Sequence, residues 1–125
     1  MVDADSQDIN KIINHLNELQ AYSEALQEQI IELDDSLKAI DGIQSVNDNE
    51  EMFVPLTRGV YVKARFVKDD SFLVNVGNKV VAEKKLDDTH KLLEEQKALT
   101  EKYLDEILKE ISYYYQEYVK LQLGG

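Results

Sequence analysis

The stretch Met52-Phe53-Val54-Pro55-Leu56-Thr57-Arg58-Gly59-Val60-Tyr61-Val62-Lys63-Ala64-Arg65-Phe66, with Phe72-Leu73-Val74-Asn75-Val76-Gly77-Asn78-Lys79-Val80-Val81-Ala82 after it, decides the fold. Val60, Val62, Ala64 and Phe66 alternate with Tyr61, Lys63 and Arg65, and Phe72, Val74 and Val76 alternate with Leu73 and Asn75. A period of two in β-branched and aromatic residues suits a pleated backbone, so the segment reads as four short strands. Turn chemistry separates them: Thr57-Arg58-Gly59, Lys68-Asp69-Asp70 and Gly77-Asn78-Lys79. Pro55 has no N–H to give to a ladder, so its nitrogen should face away from a strand partner. Apolar residues stand on both faces, Tyr61 beside Val62 and Leu73 beside Val74. A sheet apolar on both faces needs cover on both, and open edges invite another chain. Several copies, or several related chains, should therefore assemble through this segment.

The flanks have the other period. With heptad position a at Ile9, Leu16, Ser23, Ile30 and Leu37 and d at Ile12, Leu19, Leu26, Leu33 and Ile40, nine of ten seam residues are apolar. That 3–4 spacing keeps a narrow stripe turned toward a partner helix, as in a coiled coil. Ser6 or Asp5 is the expected N-cap and Gly42 the expected stop. Downstream, Leu104, Ile107, Ile111, Tyr114, Tyr118 and Leu121 repeat the 3–4 spacing. Leu92, Gln96, Leu99 and Tyr103 drift from it, which reads as a stutter that unwinds the supercoil. Asp87 or Asp88 should cap this second helix. The arms then cover residues 6–42 and 87–123, each about 55 Å long at 1.5 Å per residue. The 43–86 segment returns the chain between them, so the arms should pair antiparallel. The expected fold class is α+β: a long antiparallel two-helix coiled coil with two central β-hairpins, four short strands, at one end. The whole of 1–125 reads as a single domain.

Composition narrows the function. The 125 residues carry 25 acidic and 14 basic side chains, a formal charge of −11. Residues 1–42 hold ten acids and two bases, residues 43–86 six and seven, and residues 87–125 nine and five. Acidic arms repel phosphates, so no nucleic acid and no membrane surface is expected as a partner. Cysteine is absent, which removes thiolate metal sites and cysteine nucleophiles and fits a reducing compartment. The acidic start Met1-Val2-Asp3-Ala4-Asp5 does not read as a signal peptide.

The order long helix, strands, long helix resembles prefoldin. Phe53-Val54-Pro55-Leu56-Thr57-Arg58-Gly59-Val60-Tyr61-Val62-Lys63-Ala64 is similar to the first strand pair of that family's α class. Val74-Asn75-Val76-Gly77-Asn78-Lys79-Val80-Val81-Ala82-Glu83-Lys84 is similar to the second. Four strands fit an α-class subunit, archaeal or eukaryotic-like, since β-class subunits carry one hairpin. The resemblance implies a cytoplasmic hexamer of two α-class and four β-class subunits. It implies an ATP-independent holdase that captures unfolded client proteins at the coil tips and passes them to a group II chaperonin. No cofactor is expected.

Candidate sites follow. Tyr113, Tyr114, Tyr115, Tyr118 and Val119 crowd the last turns. In an antiparallel pair Tyr113–Tyr118 lie across from residues 11–16. The expected client-binding tip is therefore Ile9, Ile12, Ile13, Leu16, Tyr113, Tyr114, Tyr115, Tyr118 and Val119. Seam geometry needs Tyr114 and Tyr118, whereas Ile13, Tyr113, Tyr115 and Val119 are surplus, and surplus apolar groups at a free end mark an interaction site. The expected oligomer interface is Phe53, Val54, Leu56, Val60, Val62, Ala64, Phe66, Phe72, Val74, Val76, Val80 and Val81. His15 should face a residue near 114 and His90 one near 39, too far apart to share a metal. Adjacent carboxylates such as Asp34-Asp35 and Glu94-Glu95 point about 100° apart on a helix, so they form no catalytic dyad. With five scattered glycines there is no phosphate loop, and no enzymatic activity is expected. The alternative is a structural tether whose arm binds one defined helix. A tether should carry its surplus along the outer face of the arm, whereas here the surplus gathers at the end.

Overall fold

The computed structural model describes residues 4–124, with side chains from Gln7 onward. The element order is α1 (Ala4–Ile43), β1 (Glu51–Thr57), β2 (Val60–Arg65), β3 (Ser71–Gly77), β4 (Val80–Lys85) and α2 (Leu86–Leu123). Two compact units result. One is the chain up to Leu33 with the chain from Glu95 onward, and the other is Asp34–Glu94.

In the first unit α1 and α2 run antiparallel, with the His15 ring 4.5 Å from that of Tyr114. In the second unit His90 Nε2 lies 3.5 Å from Asp41 Oδ1. All ten heptad seam residues of α1 are buried or half-buried. Leu19, Ser23 and Leu26 are the most enclosed, Ser23 with 1% of its surface exposed. Its hydroxyl donates to the Gln20 carbonyl at 3.0 Å, so the buried oxygen is satisfied within its own turn.

The seam of α2 follows a different row from the expected one. Gln96 is exposed, as are Leu99 at 48% and Tyr103 at 44%. The shielded residues are Leu86, Thr89, His90, Leu92, Leu93, Lys97, Thr100, Leu104, Ile107, Ile111, Tyr114, Glu117, Tyr118, Val119 and Leu121, with Thr89 the most enclosed at 3% exposure. From Lys97 to Leu121 the 3–4 alternation is unbroken, whereas Thr89, Leu93 and Lys97 before it follow at spacings of 4 and 4. Beyond Leu93, Lys97 and Thr100 are polar seam residues. Lys97 can lay its methylene stem along the seam while its ammonium reaches Glu101 at 3.8 Å. The Thr100 hydroxyl donates to the Gln96 carbonyl at 2.8 Å.

Helix ends also depart from expectation. The capping expected of Asp5 or Ser6 lies outside the described side chains, and α1 is already helical at Ala4. Gly42 does not stop α1 in a left-handed turn. The helix runs through it to Ile43 and closes by tightened bonds: Gln44 N–H to the Asp41 carbonyl, Ser45 N–H to that of Gly42 and Val46 N–H to that of Ile43. The Ser45 hydroxyl adds a donation to the Gly42 carbonyl at 2.8 Å. α2 begins at Leu86, so Asp87 and Asp88 sit inside its first turn, near the positive end of the helix dipole, rather than at the cap.

The strands form two separate antiparallel hairpins, β1–β2 and β3–β4. They are copies in register: positions 51 and 71, 57 and 77, 60 and 80, and 65 and 85 bound the strands, each pair 20 residues apart. Each hairpin carries its extra residue at the same point, Leu56 between Pro55 and Thr57 in the first and Val76 between Asn75 and Gly77 in the second. A bulge there twists the ladder and accommodates Pro55. Only the turns differ. Arg58-Gly59 places glycine at φ +78°, whereas Asn78-Lys79 takes both residues to positive φ, 49° and 61°, the hairpin turn whose twist matches its strands. The polar linker after α1 is a series of turns docked on β2. Asn49 N–H donates to the Phe66 carbonyl at 2.6 Å and Phe66 N–H to that of Glu50 at 2.9 Å.

Candidate functional site

Alternation sorts each hairpin into two rows. Met52, Val54, Ala64 and Phe66 in the first, and Phe72, Val74, Ala82 and Lys84 in the second, are half-buried. The opposite rows face outward, with Phe53 at 68% and Leu73 at 78% exposure beside exposed Tyr61 and Val81. Leu56, Val60, Val62, Val76 and Val80 are exposed near the turns. The expected interface residues therefore divide between inner and outer rows. Tyr61 and Leu73, left out of that set, are among the most exposed apolar groups of the segment. Their signal was present in the sequence, because both stand where the period of two calls for polar residues.

Charges edge the rows. Glu51 bonds Arg65 at 3.0 Å and approaches Lys63 at 3.6 Å across the first hairpin, and the Lys63 ammonium lies 5.9 Å from the Phe53 ring centroid. In the second, Lys85 Nζ donates to Asp70 Oδ1 at 3.2 Å. That hydrogen bond, and the charge of Lys85, hold the Asp70 carboxyl below its ordinary value of 3.8. The same pair raises Lys85 above 10.5. A cavity of about 370 Å³ opens between Ile43, Phe66, Phe72 and Leu86, rimmed by Lys68, Asp69 and Asp70. Lys68 is tied down there, its N–H to Asp48 Oδ1 at 2.8 Å and its ammonium to the Gln44 carbonyl at 3.0 Å.

The second candidate region lies where the two helix termini meet in the first unit. Ile9, Ile12, Leu16, Tyr114, Tyr118 and Val119 are half-buried, while Ile13, Tyr113 and Tyr115 are exposed. The rings form two pairs. Tyr113 packs edge-on against Tyr114 at 5.1 Å, and Tyr115 lies 6.4 Å from Tyr118. Gln122 Nε2 donates to the Tyr118 hydroxyl at 2.8 Å. Nearby, His15 approaches Glu18 at 4.0 Å. Apolar exposure does not stop at this end: Tyr22, Ile31, Leu99, Tyr103 and Leu108 are also exposed. The surplus at the end is thus joined by exposed apolar groups along the helices. A seam search passed over Tyr22 and Ile31 because they lie beside the stripe.

Nothing in either region converges on a reaction centre. His90 stands between Asp41 and Glu94, each at 3.5 Å, yet among the described residues no group of three or more His, Asp and Glu could hold a metal ion. No described helix is long and apolar enough to cross a membrane.

Two hairpins between paired long helices define an assembling coiled-coil subunit, and comparison with known proteins agrees. Residues 12–122 match the family model described as prefoldin subunit. A prefoldin subunit alpha of Thermofilum pendens is 33% identical over 99 residues, covering 76% of this chain and 77% of that protein. A probable prefoldin subunit 3 of Caenorhabditis elegans is 31% identical, covering 70% of this chain and 49% of that one. A cryo-EM structure of filamentous PFD from Methanocaldococcus jannaschii has the same fold, with a TM-score of 0.84, 19% identity, and 96% and 99% of the two chains covered. The chain belongs to the prefoldin subunit family. Within it the chain is an α-class subunit, with the two hairpins in place, and its role is that of a chaperone component in protein folding.

Proposed function

We propose that this subunit joins two α-class with four β-class subunits into a hexamer. The particle holds unfolded clients at its coil ends without nucleotide and delivers them to a group II chaperonin in the cytoplasm. The observation that carries this reading is the exposure of the Tyr113 and Tyr115 rings, with Ile13, beyond what the seam requires. Such rings offer large contact area at small rotamer cost, which suits transient capture of varied segments. The outward rows headed by Phe53 and Leu73 support assembly through the hairpins. The filamentous neighbour makes an extended assembly the competing outcome for those rows.

The second reading, a tether for one partner helix, is favoured by Tyr22, Ile31, Leu99, Tyr103 and Leu108 along the helices. One experiment separates the two. Particles carrying Tyr113→Ser and Tyr115→Ser are compared with the parent for suppressing aggregation of a denatured protein on dilution. The capture reading expects protection to fall at equal particle mass. Unchanged protection sends clients elsewhere and leaves the tether standing.

A further inference from the structure

Of the four exposed tyrosines of the first unit, three share one flank of the helix pair, and Tyr115 lies on the other. His15 stands at heptad position g of α1 and its ring meets Tyr114 of α2, so the g rows of both antiparallel helices share one flank. With Lys97, Leu104, Ile111 and Tyr118 at a and Thr100, Ile107, Tyr114 and Leu121 at d of α2, Tyr103 is at g of α2, as Tyr22 is at g of α1. Tyr113 and Leu99 occupy the adjoining c row of α2. All four are exposed. The register set by His15 and Tyr114 orders them Tyr113, Tyr22, Tyr103, Leu99 away from the helix termini, at steps of about 6–9 Å. An extended segment of about six or seven residues covers that track at about 3.3 Å per residue.

The same flank is acidic. Glu18 and Glu106 stand at c and Glu110 and Glu117 at g, against Lys11 and Lys120, and Lys120 is already engaged with Glu117 at 3.4 Å. The sequence of the whole unit holds thirteen acidic and five basic residues. Tyrosine faces attract ammonium and guanidinium groups, and the carboxylates add long-range attraction. We propose that this flank is a lateral track for an extended non-native segment that alternates apolar residues with Lys or Arg, continuing the capture begun at the helix termini. The inference rests on the client-binding reading of those termini and adds a chemical class of client and a second set of residues.

The test uses the full chain assembled with a β-class subunit, and three twelve-residue fluorescein-labelled peptides. These share four Leu and differ in carrying four Lys, four Glu or four Ser. Anisotropy titrations should rank Lys above Ser above Glu. Tyr22→Ser with Tyr103→Ser should weaken the Lys peptide about fivefold or more, at a fraction to one kcal/mol per exposed cation–ring contact. Glu106→Gln with Glu110→Gln should weaken the Lys peptide and leave the Ser peptide unchanged. Raising salt to about 0.5 M should narrow the gap between peptides. All four substitutions are at exposed positions, and circular dichroism confirms that helix content is kept.

Equal binding of Lys and Glu peptides overturns the inference. So does a Lys peptide that ignores both double variants but is lost with Tyr113→Ser and Tyr115→Ser, in which case the terminal site stands alone. Loss of no peptide in any variant overturns both readings. A change of particle mass on Tyr22→Ser with Tyr103→Ser also overturns it, because the flank then packs against another subunit.

Discussion

His15 of α1 and Tyr114 of α2 meet edge to face, with ring centroids 4.5 Å apart and planes at 79°. Tyr113 packs edge-on against Tyr114 at 5.1 Å, so the ring that pairs the helices also supports an exposed one. Edge-to-face pairs contribute about 0.5–1.5 kcal/mol beyond the area they bury.

Tyr114→Ala should therefore loosen this end by about 2–3 kcal/mol, counting ring contact and lost area, while Tyr114→Phe should be close to neutral. Amide exchange in residues 9–20 and 107–121 is the measurement. Faster exchange there in the Ala variant and not in the Phe variant is the expected result. Equal protection in both would mean that the ring does not hold the helices.

Ser23 occupies the most enclosed point of the seam, between Leu19 and Leu26. Ser23→Leu should cost about 1–3 kcal/mol by overpacking. Ser23→Ala should change stability by less than about 1 kcal/mol, since the lost hydroxyl bond is local to its turn. Thermal melts of the two variants decide it. A Leu variant more stable than the parent would show that space, rather than closeness, surrounds the serine.

Lys79 sits at φ +61° with a side chain that disfavours it. Lys79→Gly should stabilise the second hairpin by about 1 kcal/mol, the penalty for a left-handed L-residue being about 1–2 kcal/mol less the flexibility glycine adds to the unfolded chain. Gly59→Val should do the reverse in the first, where φ is +78°. Amide exchange of β3–β4 and β1–β2 checks each. A Lys79→Gly hairpin no better protected than the parent would contradict the strain.

Phe53→Glu with Leu73→Glu should abolish assembly with a β-class subunit while leaving the helices formed, because each places a charge where a partner would have to bury it, at several kcal/mol. Light scattering reads particle mass. Val62→Asp and Val74→Asp provide the comparison: Val74 lies in a half-buried row, so its variant should also disturb the hairpin itself. A full-size particle from the Phe53 and Leu73 variant would move the interface off the outer rows.

The Asp70–Lys85 pair makes the second hairpin sensitive to pH at both extremes. The lowered Asp70 contributes stability above its ordinary 3.8, and loses it as pH falls through the lower folded value. Raised Lys85 contributes below its ordinary 10.5, and loses it as pH rises through the higher folded value. Both groups are exposed to solvent and to salt. Lys85→Met should return the Asp70 carboxyl toward 3.8 in an NMR titration. An unmoved midpoint would show that the pair does not persist in solution.

The sequence shows most clearly the places where burial and chemistry agree. In α1 nine of ten seam residues are apolar, and all ten are shielded. In α2 the agreement fails: Thr89, Lys97 and Thr100 are shielded although polar, whereas Leu99 and Tyr103 are exposed although apolar, so apolar spacing alone points to the wrong row. The four strands and their turns were readable from alternation, but the extra residues Leu56 and Val76 were not, since a bulge leaves composition unchanged. Gly42 misled in its own way: glycine permits a left-handed turn without requiring one. At the helix termini the surplus rings stand out by count, while the flank of Tyr22 and Tyr103 emerges only once the pairing of the helices assigns each ring a side.

The matched hairpins make the middle of the chain divisible. Arg65 ends the first hairpin at the position where Lys85 ends the second, and Leu86 follows Lys85 directly into α2. Excising residues 66–85 would join Arg65 to Leu86 at an equivalent seam, leaving one hairpin and both helices unaltered in sequence. The segment thus behaves as a tandem cassette. Insertion or removal of one 20-residue unit converts between two-hairpin and one-hairpin subunits at a single junction, without rewriting either arm.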